Sequence, residues 1–143
     1  QLYFPDQIGQ LKTEALSHTL SRIDPQVRLQ RADVCIDADN LRELVAGAEV
    51  IVEAVDGAKT KALIMSTCMD ESPGVPLVAA SGVAGHGSAN SIVTERMAEN
   101  LYVVGDLTSD VRDGRTLLAS RVMVAAAHQA HMVVRVLLGS SEP

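Results

Sequence analysis

Residues 50–57, Val50-Ile51-Val52-Glu53-Ala54-Val55-Asp56-Gly57, and residues 76–82, Pro76-Leu77-Val78-Ala79-Ala80-Ser81-Gly82, decide the fold class. Each apolar run is short and nearly unbroken, and a helical stretch lies between them. Runs of that kind suit strands buried on both faces, as in a parallel sheet covered by helices. The first run ends abruptly in Asp56. In open α/β sheets the carboxyl ends of the strands form the ligand crevice. A carboxylate there is well placed to hold a metal ion bridging phosphates. The alternative is an Asp that starts a turn or caps the helix from Ala58.

Outward from these runs, strands and helices alternate, which indicates α/β architecture. Leu11, Ala15, Leu16, Leu20 and Ile23 recur at helical spacing, and Pro25 stops that helix. Residues 27–34 alternate loosely and read as a strand. Asp39-Asn40 can cap a short helix over 41–46, closed by Gly47. Strand 50–55, a helix over 58–70 and strand 76–80 follow. Residues 91–94 and 101–104 predict two more strands, 106–115 a polar loop, and 118–138 a long helix.

The 143 residues fit one domain, and 47% are apolar, enough for a real core. Aromatics make up only 2%, so the core must come from Val, Leu, Ala, Ile and Met. A net charge of −6 without a basic stripe argues against nucleic acid as a partner. The apolar stretch 122–138 is interrupted by His128, Gln129, His131 and Arg135, so no membrane span is expected. Cys35 and Cys68 lack CxxC spacing, which points away from structural zinc and towards a reducing compartment, the cytoplasm. The chain opens Gln1-Leu2-Tyr3-Phe4-Pro5 without Met, and we read it as a piece of a longer chain.

Three further motifs carry weaker signals. Gly9-Gln10-Leu11-Lys12 sits at a helix start, where free N–H groups favour anions, and Lys12 could reach a phosphate. On the residues alone a solvated surface lysine is the better reading. Gly82-Val83-Ala84-Gly85-His86-Gly87 superficially resembles a phosphate loop, but a strand rather than a helix is expected after it. Its glycines fit positive φ or close approach of another chain. His128 and His131 lie three apart on the last helix but have no third ligand nearby, so packing or surface roles are favoured.

Taken together, the segments resemble the ThiF/MoeB/ubiquitin-activating-enzyme superfamily, in particular the ThiF-like sulfur-carrier adenylyltransferases of thiamine biosynthesis. The resemblance rests on Asp6-Gln7-Ile8-Gly9, Lys12 and Ile23-Asp24-Pro25 within residues 1–25, and on Val52-Glu53-Ala54-Val55-Asp56 followed by Thr60-Lys61. It continues through residues 78–82, Ala84-Gly85, Asn90-Ser91-Ile92, residues 100–106, and Arg121-Val122 with residues 126–130.

That resemblance implies a Rossmann-like three-layer fold with a mostly parallel sheet. Its amino-terminal strand-helix-strand and nucleotide loop would lie upstream, so residues 1–143 would be the carboxyl-terminal two thirds of one domain. It implies an ATP-dependent adenylyltransferase that uses magnesium to activate the C-terminal glycine of a ubiquitin-like sulfur carrier protein, working as a homodimer. Lys12 would contact the ATP phosphates, and Asp56, with Gly57 beside it, would position magnesium and phosphates. This sequence departs from the family in carrying Gly57 where Asn is usual, and in having no Cys between Gly82 and Arg121. Two alternatives stand beside the enzyme: a non-catalytic homologue that binds a partner or dimerises, and a nicotinamide-dependent Rossmann enzyme, for which nothing in the second half supplies an acid or base.

Overall fold

The computed structural model describes residues 3–143; Gln1 and Leu2, which open the family-like segment, lie outside the described residues. The chain forms two compact units, residues 1–35 and residues 36–143.

The first unit is built on α1 (Lys12–Ile23), preceded by a single turn at Pro5–Gln7. Gln7 is its buried polar tie. The side-chain amide donates to the Ala15 carbonyl at 3.3 Å and the Thr19 hydroxyl at 3.2 Å, and its oxygen accepts from the Phe4 N–H at 2.8 Å. Ala15 is the buried residue of α1, while Leu11, Leu16 and Ile23 of the apolar series stay exposed. The strand expected over residues 27–34 does not form: the segment is irregular and exposed. A strand is stable only against a neighbour that completes its ladder, and within the described residues of this unit no strand is available to pair with it. Asp33 accepts instead from the Thr13 hydroxyl, which ties the segment back to the start of α1.

The second unit contains α2 (Leu41–Val45), β1 (Ile51–Val52), α3 (Ala58–Glu71), β2 (Leu77–Ala80), β3 (Val93–Ala98), β4 (Leu101–Gly105) and α4 (Ala119–Leu137). The sheet order is β1-β2-β4-β3. β1, β2 and β4 run parallel, and β3 returns antiparallel along β4. Helices lie on both faces, so the expected mostly parallel α/β arrangement holds. Alternate strand residues feed two cores, as the two-residue period of a strand requires. Leu77, Leu101 and Val103 pack with Leu41, Ile64 and Cys68 of α2 and α3. Val78, Tyr102 and Val104 pack with Ala125 and Met132 of α4.

Two boundaries differ from expectation. The strand over 50–55 contracts to Ile51–Val52, for a reason given below. The strand over 91–94 begins later and runs longer, because Ser88 first closes a helical turn: its hydroxyl accepts from the Asn90 N–H at 3.2 Å and its carbonyl from the Ser91 hydroxyl at 2.7 Å.

Candidate active site

The three parallel strands end on one edge of the sheet, and that edge gathers the chemistry. β1 leads to residues 53–57, β2 to Ser81-Gly82, and β4 to Gly105-Asp106. Two glycines let the last two ends meet. Gly105 has φ +147°, and a Cβ there would lie 1.5 Å from the Ser81 carbonyl oxygen; Gly82 has φ +74°, and a Cβ there would lie 2.3 Å from an Asp106 carboxylate oxygen. No L side chain fits either position without backbone movement. The positive-φ reading of the glycine-rich segment therefore holds for Gly82, and residues 89–91 followed by β3, not a long helix, come after it.

β1 is short because the chain splits away from β2 immediately after Glu53. The last ladder bond runs from the Glu53 N–H to the Val78 carbonyl at 2.9 Å. One further step of a parallel ladder would bond the Val55 N–H to the Ala80 carbonyl. Both groups are satisfied otherwise: the Val55 N–H donates to Glu53 Oε1 at 2.7 Å, and the Lys61 ammonium donates to the Ala80 carbonyl at 2.7 Å. Glu53 Oε2 pairs with the same ammonium. The Gln129 amide from α4 donates to the Glu53 carbonyl at 3.0 Å and to the Val78 carbonyl at 3.2 Å. Glu53 is 1% exposed, and a buried carboxyl group needs partners of this kind to offset its lost hydration.

The split delivers Asp56 to the surface of this edge. Asp56 is exposed, and its carboxylate makes no hydrogen bond or ion pair among the described residues. It does not cap α3: Gly57 holds the cap position, without a side-chain cap bond, and the first turn of α3 carries no acidic residue. The first N–H groups of α3 follow directly on Asp56 in the chain and take no side-chain cap, a setting that favours phosphate oxygens. Gly57 itself has φ −78°, which any residue adopts. Lys12, in the first unit, is exposed at the first position of α1.

A second tie braces the far side of the edge. Arg121, 3% exposed, donates from Nη2 to Asp106 at 2.7 Å and from Nη1 to the Gly87 and Ser88 carbonyls at 2.7 and 2.6 Å. Burial works to raise the Asp106 carboxyl. The backbone N–H groups of Ser109 and Thr108, at 2.8 and 2.9 Å, outweigh it and hold the acid at about 2 instead of 3.8. His128 Nδ1 lies 3.1 Å from the Thr94 hydroxyl, a packing role. No group of three or more metal-ligating side chains is found among the described residues. No helix of the described residues is long and apolar enough to cross a membrane.

Of the residues singled out by sequence, Asp56 and Gly57 stand together at the sheet edge and Lys12 stands at a helix start. The supports Glu53, Lys61, Gln129, Asp106 and Arg121 were visible only as members of family-like blocks. The available signal was a lone charge inside an apolar run, Glu53, followed by a lysine eight residues on.

Comparison with known proteins shows the family. The chain is similar to the SAMP-activating enzyme E1 of Haloferax volcanii, 30% identical over 90 residues, or 63% of this chain and 33% of that protein. It is similar to the molybdopterin-synthase adenylyltransferase of Salmonella typhimurium, 24% identical over 95 residues, 66% of this chain and 37% of that protein. The chain thus spans about a third of the length of the curated relatives it matches. The crystal structure of E. coli tRNA N6-threonylcarbamoyladenosine dehydratase in complex with ATP superposes with a TM-score of 0.73 at 18% identity, covering 94% of this chain and 68% of that one. The ThiF family matches residues 1–143 from end to end, and the chain belongs to that family.

Proposed function

We propose that this chain is the carboxyl-terminal two thirds of an ATP-dependent adenylyltransferase domain. It would activate the C-terminal glycine of a ubiquitin-like sulfur carrier protein, in thiamine or related sulfur transfer, as a cytoplasmic homodimer. The observation that carries the reading is Asp56: an exposed carboxylate without a hydrogen-bond or ion-pair partner among the described residues, just past the carboxyl end of β1 and directly before the uncapped start of α3. Family membership and adenylyltransferase and E1 relatives support the activity. The neighbouring fold solved with ATP supports the nucleotide.

The residues fit magnesium in the way nucleotide enzymes hold it. One hard oxygen ligand from the protein suffices, because waters and phosphate oxygens complete the shell. Asp56 would be that ligand. When bound, magnesium would neutralise negative charge on the phosphate oxygens. The first N–H groups at Gly57 and Ala58 offer donors to phosphate oxygens; the phosphate contact of Lys12 rests on the family resemblance alone, an ammonium acting as a mobile point charge. The carrier's terminal carboxylate is the nucleophile, so the protein's task is alignment and electrostatics, not proton transfer.

The test is ATP–pyrophosphate exchange by the full-length protein carrying Asp56→Asn. Exchange should fall by about 10²–10³ with the fold intact. Near-normal exchange by a folded Asn variant would refute the assignment.

A further inference from the structure

We propose that Glu53, Lys61 and Gln129 act as positioning residues that hold the split between β1 and β2 open and so fix Asp56 for magnesium–ATP; the inference rests on the function proposed above. When two strands part, each unmade ladder bond leaves a donor or acceptor that must find a partner. Here each group named finds a side chain. The Glu53 carboxylate takes the Val55 N–H, the Lys61 ammonium takes the Ala80 carbonyl, and the Gln129 amide takes the Glu53 carbonyl. The Glu53–Lys61 pair closes the circuit between the two sides of the split.

The bond from Glu53 Oε1 to the Val55 N–H has a specific consequence. It fixes the backbone one residue before Asp56, so the direction in which Asp56 leaves the sheet is set by a buried acid three residues earlier. Lys61 anchors the opposite wall at Ala80 and belongs to the second turn of α3, so the same ammonium also sets where the start of α3 stands relative to β2. Gln129 reaches in from α4, on the other face of the sheet, and keeps the last ladder bond from extending. None of the three need touch the nucleotide. They act through Asp56, as outer residues orient metal ligands in general.

The experiment is a double-mutant cycle in the full-length protein, with magnesium–ATP binding followed by titration calorimetry and ATP–pyrophosphate exchange alongside. Glu53→Gln keeps an oxygen that can accept from the Val55 N–H but removes the charge opposite Lys61. It should weaken magnesium–ATP binding by about 10–100-fold, the usual effect of losing an orienting partner. ATP binding in chelator should be unchanged, and the same substitution should cause no further loss in the Asp56→Asn background. Equal losses with and without magnesium, an equal loss in the Asp56→Asn background, or unchanged affinity in a folded Glu53→Gln protein would each overturn the proposal. If Glu53→Gln does not fold, Lys61→Arg serves the same cycle: it keeps the charge but replaces a compact ammonium by a planar fork. The Asp56→Asn variant alone reports on the magnesium assignment, so failure of that reading is distinguished from failure of this one.

Discussion

Asp106→Asn tests the brace that joins β4 to the crossover loop, and its magnitude follows from the site. Asparagine keeps an oxygen for the Thr108 and Ser109 N–H groups but presents a neutral amide to the Arg121 guanidinium, 2.7 Å away in the native protein. Protonating Asp106 is a close mimic of that change. The drop of this acid from 3.8 to about 2 comes from the Thr108 and Ser109 donors, which favour the charged form, and at about 1.36 kcal/mol per pH unit it corresponds to about 2 kcal/mol that a neutral side chain forgoes. The Asp106 side chain is 15% exposed, so little of this is screened. Breaking a buried ion pair outright costs about 3–5 kcal/mol, which bounds the effect from above. With a urea slope of about 2 kcal/mol per molar, the denaturation midpoint should fall by at least about 1 M at pH 7. The sign of the pH dependence is fixed. The native pKa lies below the unfolded one, so the stabilisation is full above about pH 4 and disappears as pH falls towards 2. Urea denaturation of wild type and variant from pH 7 to pH 2.5 should show their difference shrinking over that window. A difference under about 1 kcal/mol at pH 7, or one that does not shrink on acidification, would refute the reasoning.

The remaining expectations are simpler. Lys12→Ala in the full-length protein should raise the KM for ATP or lower kcat, with only partial rescue by Lys12→Arg, because a fork does not replace a point charge; unchanged steady-state kinetics would return Lys12 to the surface. Gly105→Ala should destabilise by about 3 kcal/mol, since its Cβ would collide with the Ser81 carbonyl; a thermal melt within 2 °C of wild type would contradict that geometry. Gly57→Ala should leave stability within about 0.5 kcal/mol, because its φ is ordinary and the new Cβ would sit 3.5 Å from the Thr60 hydroxyl. Loss of exchange in that stable variant would locate a nucleotide contact at Gly57.

The sequence by itself determined the strand-helix-strand rhythm of residues 50–80, the long last helix and the Asp at which the first apolar run stops. Each of these depends on local periodicity and on where an apolar run stops, and both are written in consecutive residues. It also carried the family, because several short blocks agree in order. Tertiary structure decided the rest. Residues 27–34 alternate like a strand yet remain irregular, because pairing depends on a neighbour and not on the segment's own pattern. β1 stops at Val52 although the apolar run continues to Val55, because Glu53, Lys61 and Gln129 take over backbone groups that a longer ladder would use. These three residues are separated by up to 76 positions, and Arg121 reaches back 34 to Gly87. Hydrogen bonds of that span are set by which elements pack together, and no window of sequence contains both partners.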